Sequence, residues 1–120
     1  MTENGITYLA GPYTADSPRT RLSRYKILTK VASLLIEKGE IVFSPITMTH
    51  PIDVLLAEDN ATLGSEFWVR FDEAFMKACF RIKVLKIEGW DRSAGVKREI
   101  DYFRKMGREV IYLDPDEFEI

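Results

Sequence analysis

The stretch RIKVLKIEGWDRSAGVKREIDYFRKMGREVIYL, Arg81–Leu113, decides the fold. RIKVLKI (Arg81–Ile87) is a short, apolar, β-branched run and predicts a strand. Val96, Ile100, Phe103 and Met106 then recur at helical spacing and form one apolar stripe, closed by Gly107. EVIYL (Glu109–Leu113) predicts another strand. Strand, helix and strand in that order make a parallel pair with a right-handed crossover helix on one face. One residue breaks the pattern. Glu99 lies on the apolar stripe, one turn after Val96 and one turn before Phe103, where an unpaired charge is costly to bury. A carboxylate there is desolvated, paired, or turned into a polar cleft.

The same alternation continues outside this stretch. ITYLAG (Ile6–Gly11) predicts a first strand, stopped by Gly11-Pro12. Ser17-Pro18 supplies an N-cap and first-turn pair, after which Leu22, Tyr25, Leu28, Val31, Ala32 and Leu35 keep helical period. Gly39 follows as a C′ glycine. EIVFS (Glu40–Ser44) predicts a second strand, stopped by Pro45. Pro45–Gly64 holds Pro45 and Pro51 without a clear period, and predicts a long loop with one short helix around Ile52–Ala57. Ser65 caps a further helix whose apolar side includes Trp68, Phe71, Phe75 and Ala78. The acidic tail DPDEFEI is expected to be peripheral. The expectation is a single domain over residues 1–120: an α/β three-layer sandwich, with a four- to five-stranded parallel sheet and helices on both faces.

Composition narrows the function classes. The chain has 120 residues, 46% hydrophobic and 30% charged, as in an ordinary globular protein that buries a core without disulfide or metal. Its net charge of −2 offers no bulk attraction for a nucleic-acid polymer or a membrane surface. Cys79 is the single cysteine, which excludes an internal disulfide and a cysteine-cluster zinc site. The start MTENGITYLAG lacks the basic and apolar regions of a signal peptide, and no segment has the roughly 18 apolar residues of a membrane span. A cytoplasmic location is therefore expected.

In a doubly wound parallel sheet, ligands sit outside the carboxyl ends of the strands, where the strand order reverses. Those ends here are Gly11, Pro12, Tyr13 and Thr14; then Ser44 and Pro45; then Glu88 to Trp90 running into Ser93 and Gly95. Glu99, in the opening turns of the following helix, can face that crevice. Asp72, one turn after Trp68, is a second acid beside an aromatic face. Tyr8, ending the first strand, carries a phenol that can donate to a carboxylate. Ser93 and the Gly95 amide open a helix whose N-terminus suits a phosphate or sugar oxygen. Arg19 and Arg21 follow the first loop and can pair with a phosphate.

Each residue also has an ordinary reading. Glu99 can be a solvated edge residue or pair with Lys97 or Arg98, and Asp72 a surface acid. Tyr8 can be a core tyrosine, Ser93 a helix cap only, and Arg19 and Arg21 a solvated helix face. His50, the sole histidine, is by itself a weak metal ligand beside Pro51. Glycine-rich phosphate cradles of the G-x-x-x-x-G-K-[ST] and G-x-G-x-x-G types are absent from the sequence.

YLAGPYT (Tyr8–Thr14), VFSPITMTHPI (Val42–Ile52), FWVRFDEAF (Phe67–Phe75) and GWDRSAGVKREI (Gly89–Ile100) together resemble the nucleoside 2-deoxyribosyltransferase family, in its small single-domain branch. The resemblance spans Tyr8 to about Val110, with the motifs in family order. It implies a flavodoxin-like fold, with Glu99 as nucleophile, Asp72 as assisting acid and Tyr8 as the tyrosine that orients the nucleophile. It also implies that Ser93 contacts the sugar or its 5′-phosphate, and that Ser44 to His50 form the wall against the base. The expected activity is cleavage or transfer at the N-glycosidic bond of a (deoxy)nucleoside or nucleoside 5′-monophosphate, without metal or organic cofactor. A carboxylate suits that chemistry because it can trap the oxocarbenium-like centre as a covalent ester, while a carboxyl of raised pKa protonates the departing base. The alternative is a non-catalytic nucleotide-binding or sensing module of the same fold. A dimer or higher homo-oligomer is expected, built on the helix from Ser65 with its Phe67, Trp68, Phe71 and Phe75.

Overall fold

The computed structural model describes residues 5–120. The reading of the amino terminus as lacking a signal peptide draws in part on residues 1–4, which lie outside the described residues. Four strands, β1 (Ile6–Ala10), β2 (Ile41–Phe43), β3 (Cys79–Leu85) and β4 (Glu109–Leu113), form one all-parallel sheet in the order β2-β1-β3-β4. The chain passes from β1 outward to β2, then crosses back over β1 to β3. Strand order therefore reverses between β1 and β3.

Alternation along each strand sends successive side chains to opposite faces. Tyr8, Ala10, Ile82 and Val84 point to one face. There they pack with Val96, Ile100 and Phe103 of α4 (Ala94–Lys105) and with Met76 at the end of α3 (Ser65–Met76). Leu9, Leu85 and Leu113 point to the other. They meet Leu28, Val31, Ala32 and Leu35 of α1 (Pro18–Glu37) and Ile46 of α2 (Pro45–Glu58). The result is a flavodoxin-like three-layer α/β sandwich with the sheet in the middle. No helix among the described residues is long and apolar enough to cross a membrane.

The local signals at α1 and α4 act as expected. Ser17 Oγ accepts the Thr20 amide at 3.3 Å, Pro18 opens α1, and Gly39 takes φ +99° beyond its end. Ser93 Oγ accepts the Val96 amide at 3.2 Å, and Gly107 takes φ +69°. Met106 departs from the expected stripe: it is the C-cap of α4 and is 50% exposed.

The largest correction is at Pro45–Gly64. In place of a long loop, α2 runs for 14 residues with Pro51 inside it. Ser44-Pro45 starts this helix, as N-cap and first-turn proline. Pro51 removes one backbone hydrogen bond, but the helix is held from outside. Thr47 Oγ1 bonds Thr29 of α1 at 2.8 Å and Ser44 at 2.7 Å, while Ile46 and His50 are buried.

Smaller differences follow. Gly64, not Ser65, is the N-cap of α3, with no side-chain cap bond, and Ala78 falls beyond the helix and is exposed. The third strand runs Cys79–Leu85, two residues earlier at each end than the apolar run suggests. Tyr8 lies in the middle of β1, not at its end. The tail is anchored in part: Pro115–Phe118 forms a 3-10 turn, and Phe118 packs against the α1-side core. Phe67, Trp68, Phe71 and Phe75 are half-buried in an aromatic ladder that ends on Phe43, whose ring stacks 4.3 Å from that of Phe75. The more exposed apolar stripe is on α2, where Met48, Ile52 and Leu55 are 43%, 39% and 61% exposed.

Candidate active site

A cavity of about 750 Å³ opens at the carboxyl end of the sheet, at the reversal between β1 and β3. Its walls come from the loop after β1, from α2 and α3 on one side, and from the first turns of α4 on the other. Its size is that of small-molecule sites generally.

Glu99 answers the question its position raised. The side chain is only 6% exposed, and its carboxylate accepts the hydroxyl of fully buried Tyr8 at 2.6 Å. Neither neighbouring cation forms a salt bridge with it among the described residues, and Lys97 pairs instead with Asp101 at 2.9 Å. Burial pushes the Glu99 carboxyl up to about 7. The Tyr8 hydrogen bond opposes this rise, the Asp72 charge adds to it, and Arg98 opposes it. Asp72, on α3, faces the same cavity and is pushed up to about 6 by burial, against the pull of Arg98. The Tyr8 phenol is held well above its ordinary range, first by burial and then by the Glu99 and Asp72 charges, so it remains a donor. Two carboxyls with raised proton affinity, one of them oriented by a phenol, form a pair suited to nucleophilic and acid–base work near neutral pH.

Among the residues expected from the sequence to bind substrate, Gly11, Tyr13, Arg21, Pro45, Trp68, Ser93 and Gly95 line the cavity with Asp72 and Glu99. Arg21 is held there by donating to the carbonyls of Ala15 and, at 3.3 Å, Asp16. Ser93 serves as the N-cap of α4, so its oxygen already accepts one amide. Four others lie off the cavity wall. Arg19 is exposed on the first turn of α1, and Pro12 is buried within the loop after β1. Ser44 is buried and tied to Thr47. His50 is buried, with Nδ1 hydrogen-bonded to Tyr13 Oη at 2.6 Å and its ring stacked on Tyr25 at 4.5 Å. His50 therefore supports the wall through Tyr13. Burial lowers its pKa and so favours the neutral ring.

Sequence reading missed Asp53 and Ala57, which line the cavity from α2 at helical spacing with Thr49 of the expected base wall. That spacing was legible once the segment is taken as a helix. It also missed Arg98, which lines the cavity beside Glu99 and whose buried Nε has no hydrogen-bond partner. Among the described residues no group of three or more His, Cys, Asp and Glu side chains is placed to hold a metal ion.

One further arginine organises the rim. Arg24 of α1 donates to the Thr14 carbonyl at 3.0 Å and the Glu88 carbonyl at 3.3 Å, joining the loops after β1 and β3. Gly89, next to Glu88, has φ +96°, and a Cβ there would lie 2.7 Å from Arg24 Nη2. Glycine meets both the backbone and the space requirement.

The fold and the cavity define a doubly wound α/β protein with a carboxyl-pair site at its switch point. Residues 5–114 match the family described as a domain of unknown function (DUF1937), and the chain belongs to that family. No curated protein matches it.

Proposed function

We propose that this protein cleaves or transfers at the N-glycosidic bond of a (deoxy)nucleoside or nucleoside 5′-monophosphate, with Glu99 as nucleophile. The observation that carries the reading is a buried glutamate, aimed by a phenol at 2.6 Å, sharing a cavity of about 750 Å³ with a second acid. The motif resemblance to nucleoside 2-deoxyribosyltransferases supports it. Ionised Glu99 bonds to the anomeric carbon as the bond from that carbon to the base breaks, and Asp72 gives its proton to the base nitrogen. Water or a second base then attacks the anomeric carbon, the glycosyl ester breaks, and the proton from the attacking group returns to Asp72. Tyr8 holds the ionised form of Glu99 in place before and after.

A 5′-phosphate would meet Arg21 and the first-turn amides of α4 across the cavity. The exposed α2 stripe supports a symmetric oligomer: Met48, Ile52 and Leu55 are on the same helix as the cavity-lining Thr49, Asp53 and Ala57, so a second copy there would brace the cavity wall.

The test is incubation with a panel of nucleosides and their monophosphates, with and without an acceptor base, followed by chromatography of free base. Base release without acceptor identifies a hydrolase, and base exchange only with acceptor a transferase. Binding without either marks a sensing module and overturns the reading.

A further inference from the structure

Asp72 of α3 and Arg98 and Glu99 of α4 line one cavity, yet their charges do not pair off. A phenol, not a cation, holds Glu99, and no salt bridge joins Arg98 to either acid among the described residues. Arg98 Nη2 lies 3.9 Å from where a Cβ on Gly95 would sit, so the side chain folds back along the first turn of its helix. Its Nε is buried without a partner. The guanidinium has no dedicated acceptor among the described residues.

We propose that Arg98 is a positioning residue: a fixed countercharge shared by Asp72 and Glu99, which keeps one negative charge in the cavity whichever acid carries it. This inference rests on the reading of those two acids as the working pair. During ester formation Glu99 loses its charge to the new bond with the anomeric carbon, and Asp72 gains one by giving its proton to the base. The negative charge thus moves from one carboxyl to the other, and resolution of the ester moves it back. A salt bridge to either acid would favour one end of that transfer. A cation that serves both without a bond to either lets the charge move at little cost.

The other groups facing the pair do not take this role. Tyr8 of β1 is a neutral donor, and Tyr13 and Asp53 face the cavity from the loop after β1 and from α2. Arg21 is tied to loop carbonyls, and its charge acts on Tyr13 and His50, whereas Arg98 acts on both acids.

The test is a pH titration of the ligand-free protein, carboxyl-labelled with ¹³C in aspartate and glutamate and followed by NMR. Wild type is compared with Arg98→Lys and with two neutral variants, Arg98→Gln and Arg98→Met. The expected result is that both Asp72 and Glu99 hold their protons about tenfold more tightly in the neutral variants. In Arg98→Lys they should titrate near wild type. Neutral variants that superimpose on wild type overturn the proposal, as does an Arg98→Lys shift equal to theirs, which would mark a packing role. The measurement needs no turnover. Inactivity toward nucleosides with the expected titration counts against the N-glycosidase reading, whereas turnover with an unchanged titration counts against the countercharge.

Discussion

Glu99 enters the folded protein with its proton affinity raised by burial, and linkage makes that a statement about stability. A carboxyl whose folded pKa of about 7 exceeds its unfolded value stabilises fully below about 4.5, and that contribution is lost as pH rises through 7. Wild type should therefore lose roughly 2–3 kcal/mol at this residue between pH 4.5 and 8. Glu99→Gln keeps an acceptor for Tyr8 and escapes the loss. Denaturant melts at pH 5 and pH 8 should show the variant gaining on wild type at the higher pH; parallel pH dependence would show that Glu99 is not held in this state. In the same variant, base release should fall by about two to three decades. The rate of wild type should follow a bell with its maximum between about 6 and 7, because the pair works when it holds one proton, and only the minor form with that proton on Asp72 and Glu99 ionised is productive. Glu99, Asp72 and Tyr8 were legible as site candidates because an acid on an apolar stripe is anomalous and the motifs are local. Arg98 was not, since a sequence cannot say whether a cation beside an acid pairs with it or folds back along the helix. Nor was the Tyr13–His50 bond, between residues 37 positions apart.

At the scale of elements, the well-read helices are those whose signals are local. Ser17-Pro18 and Gly39 bound α1, and Ser93 and Gly107 bound α4, through single side chains or single backbone angles. For α2 the local signals conflict. Pro51 breaks the expected pattern, and the helix is held by the hydrogen bond from Thr29 of α1 and by the burial of Ile46 and His50. Tertiary packing decides there, and a one-dimensional reading cannot weigh it. The cap at Ser93 provides a test, because the turn it closes carries the amides facing the cavity. Ser93→Ala should cost about 0.5–2 kcal/mol of stability, and Ser93→Asp should restore most of it. If that turn also receives a 5′-phosphate, Ser93→Asp should lower kcat/KM for monophosphates more than for nucleosides. Equal losses for the two substrate forms would leave Ser93 a cap alone.

At the scale of the whole molecule, alternation of strands and helices was enough to require a parallel sheet with helices on both faces. It did not say which hydrophobic surface stays uncovered. The aromatic helix α3 draws attention by composition, yet its rings stack on one another and on Phe43, and the uncovered stripe is on α2. Leu55→Glu should convert an oligomer into monomers in sedimentation while changing monomer stability by no more than about 0.5 kcal/mol. Wild type sedimenting as a monomer at micromolar concentration would remove the oligomer from the proposal. The bridge from Arg24 to the loops after β1 and β3 has a mechanical consequence. Because one guanidinium grips both loops, and Gly89 lets them sit close, that side of the mouth behaves as a fixed jaw. The opposite side is α2 and α3, joined through residues 59–64, all of them exposed, with Asn60 at φ +54°. If the site closes over a substrate as the proposed function requires, the movement should fall to that hairpin: amide exchange should be faster along residues 59–64 than at Glu88 and Gly89, and ligand should slow it most in the hairpin.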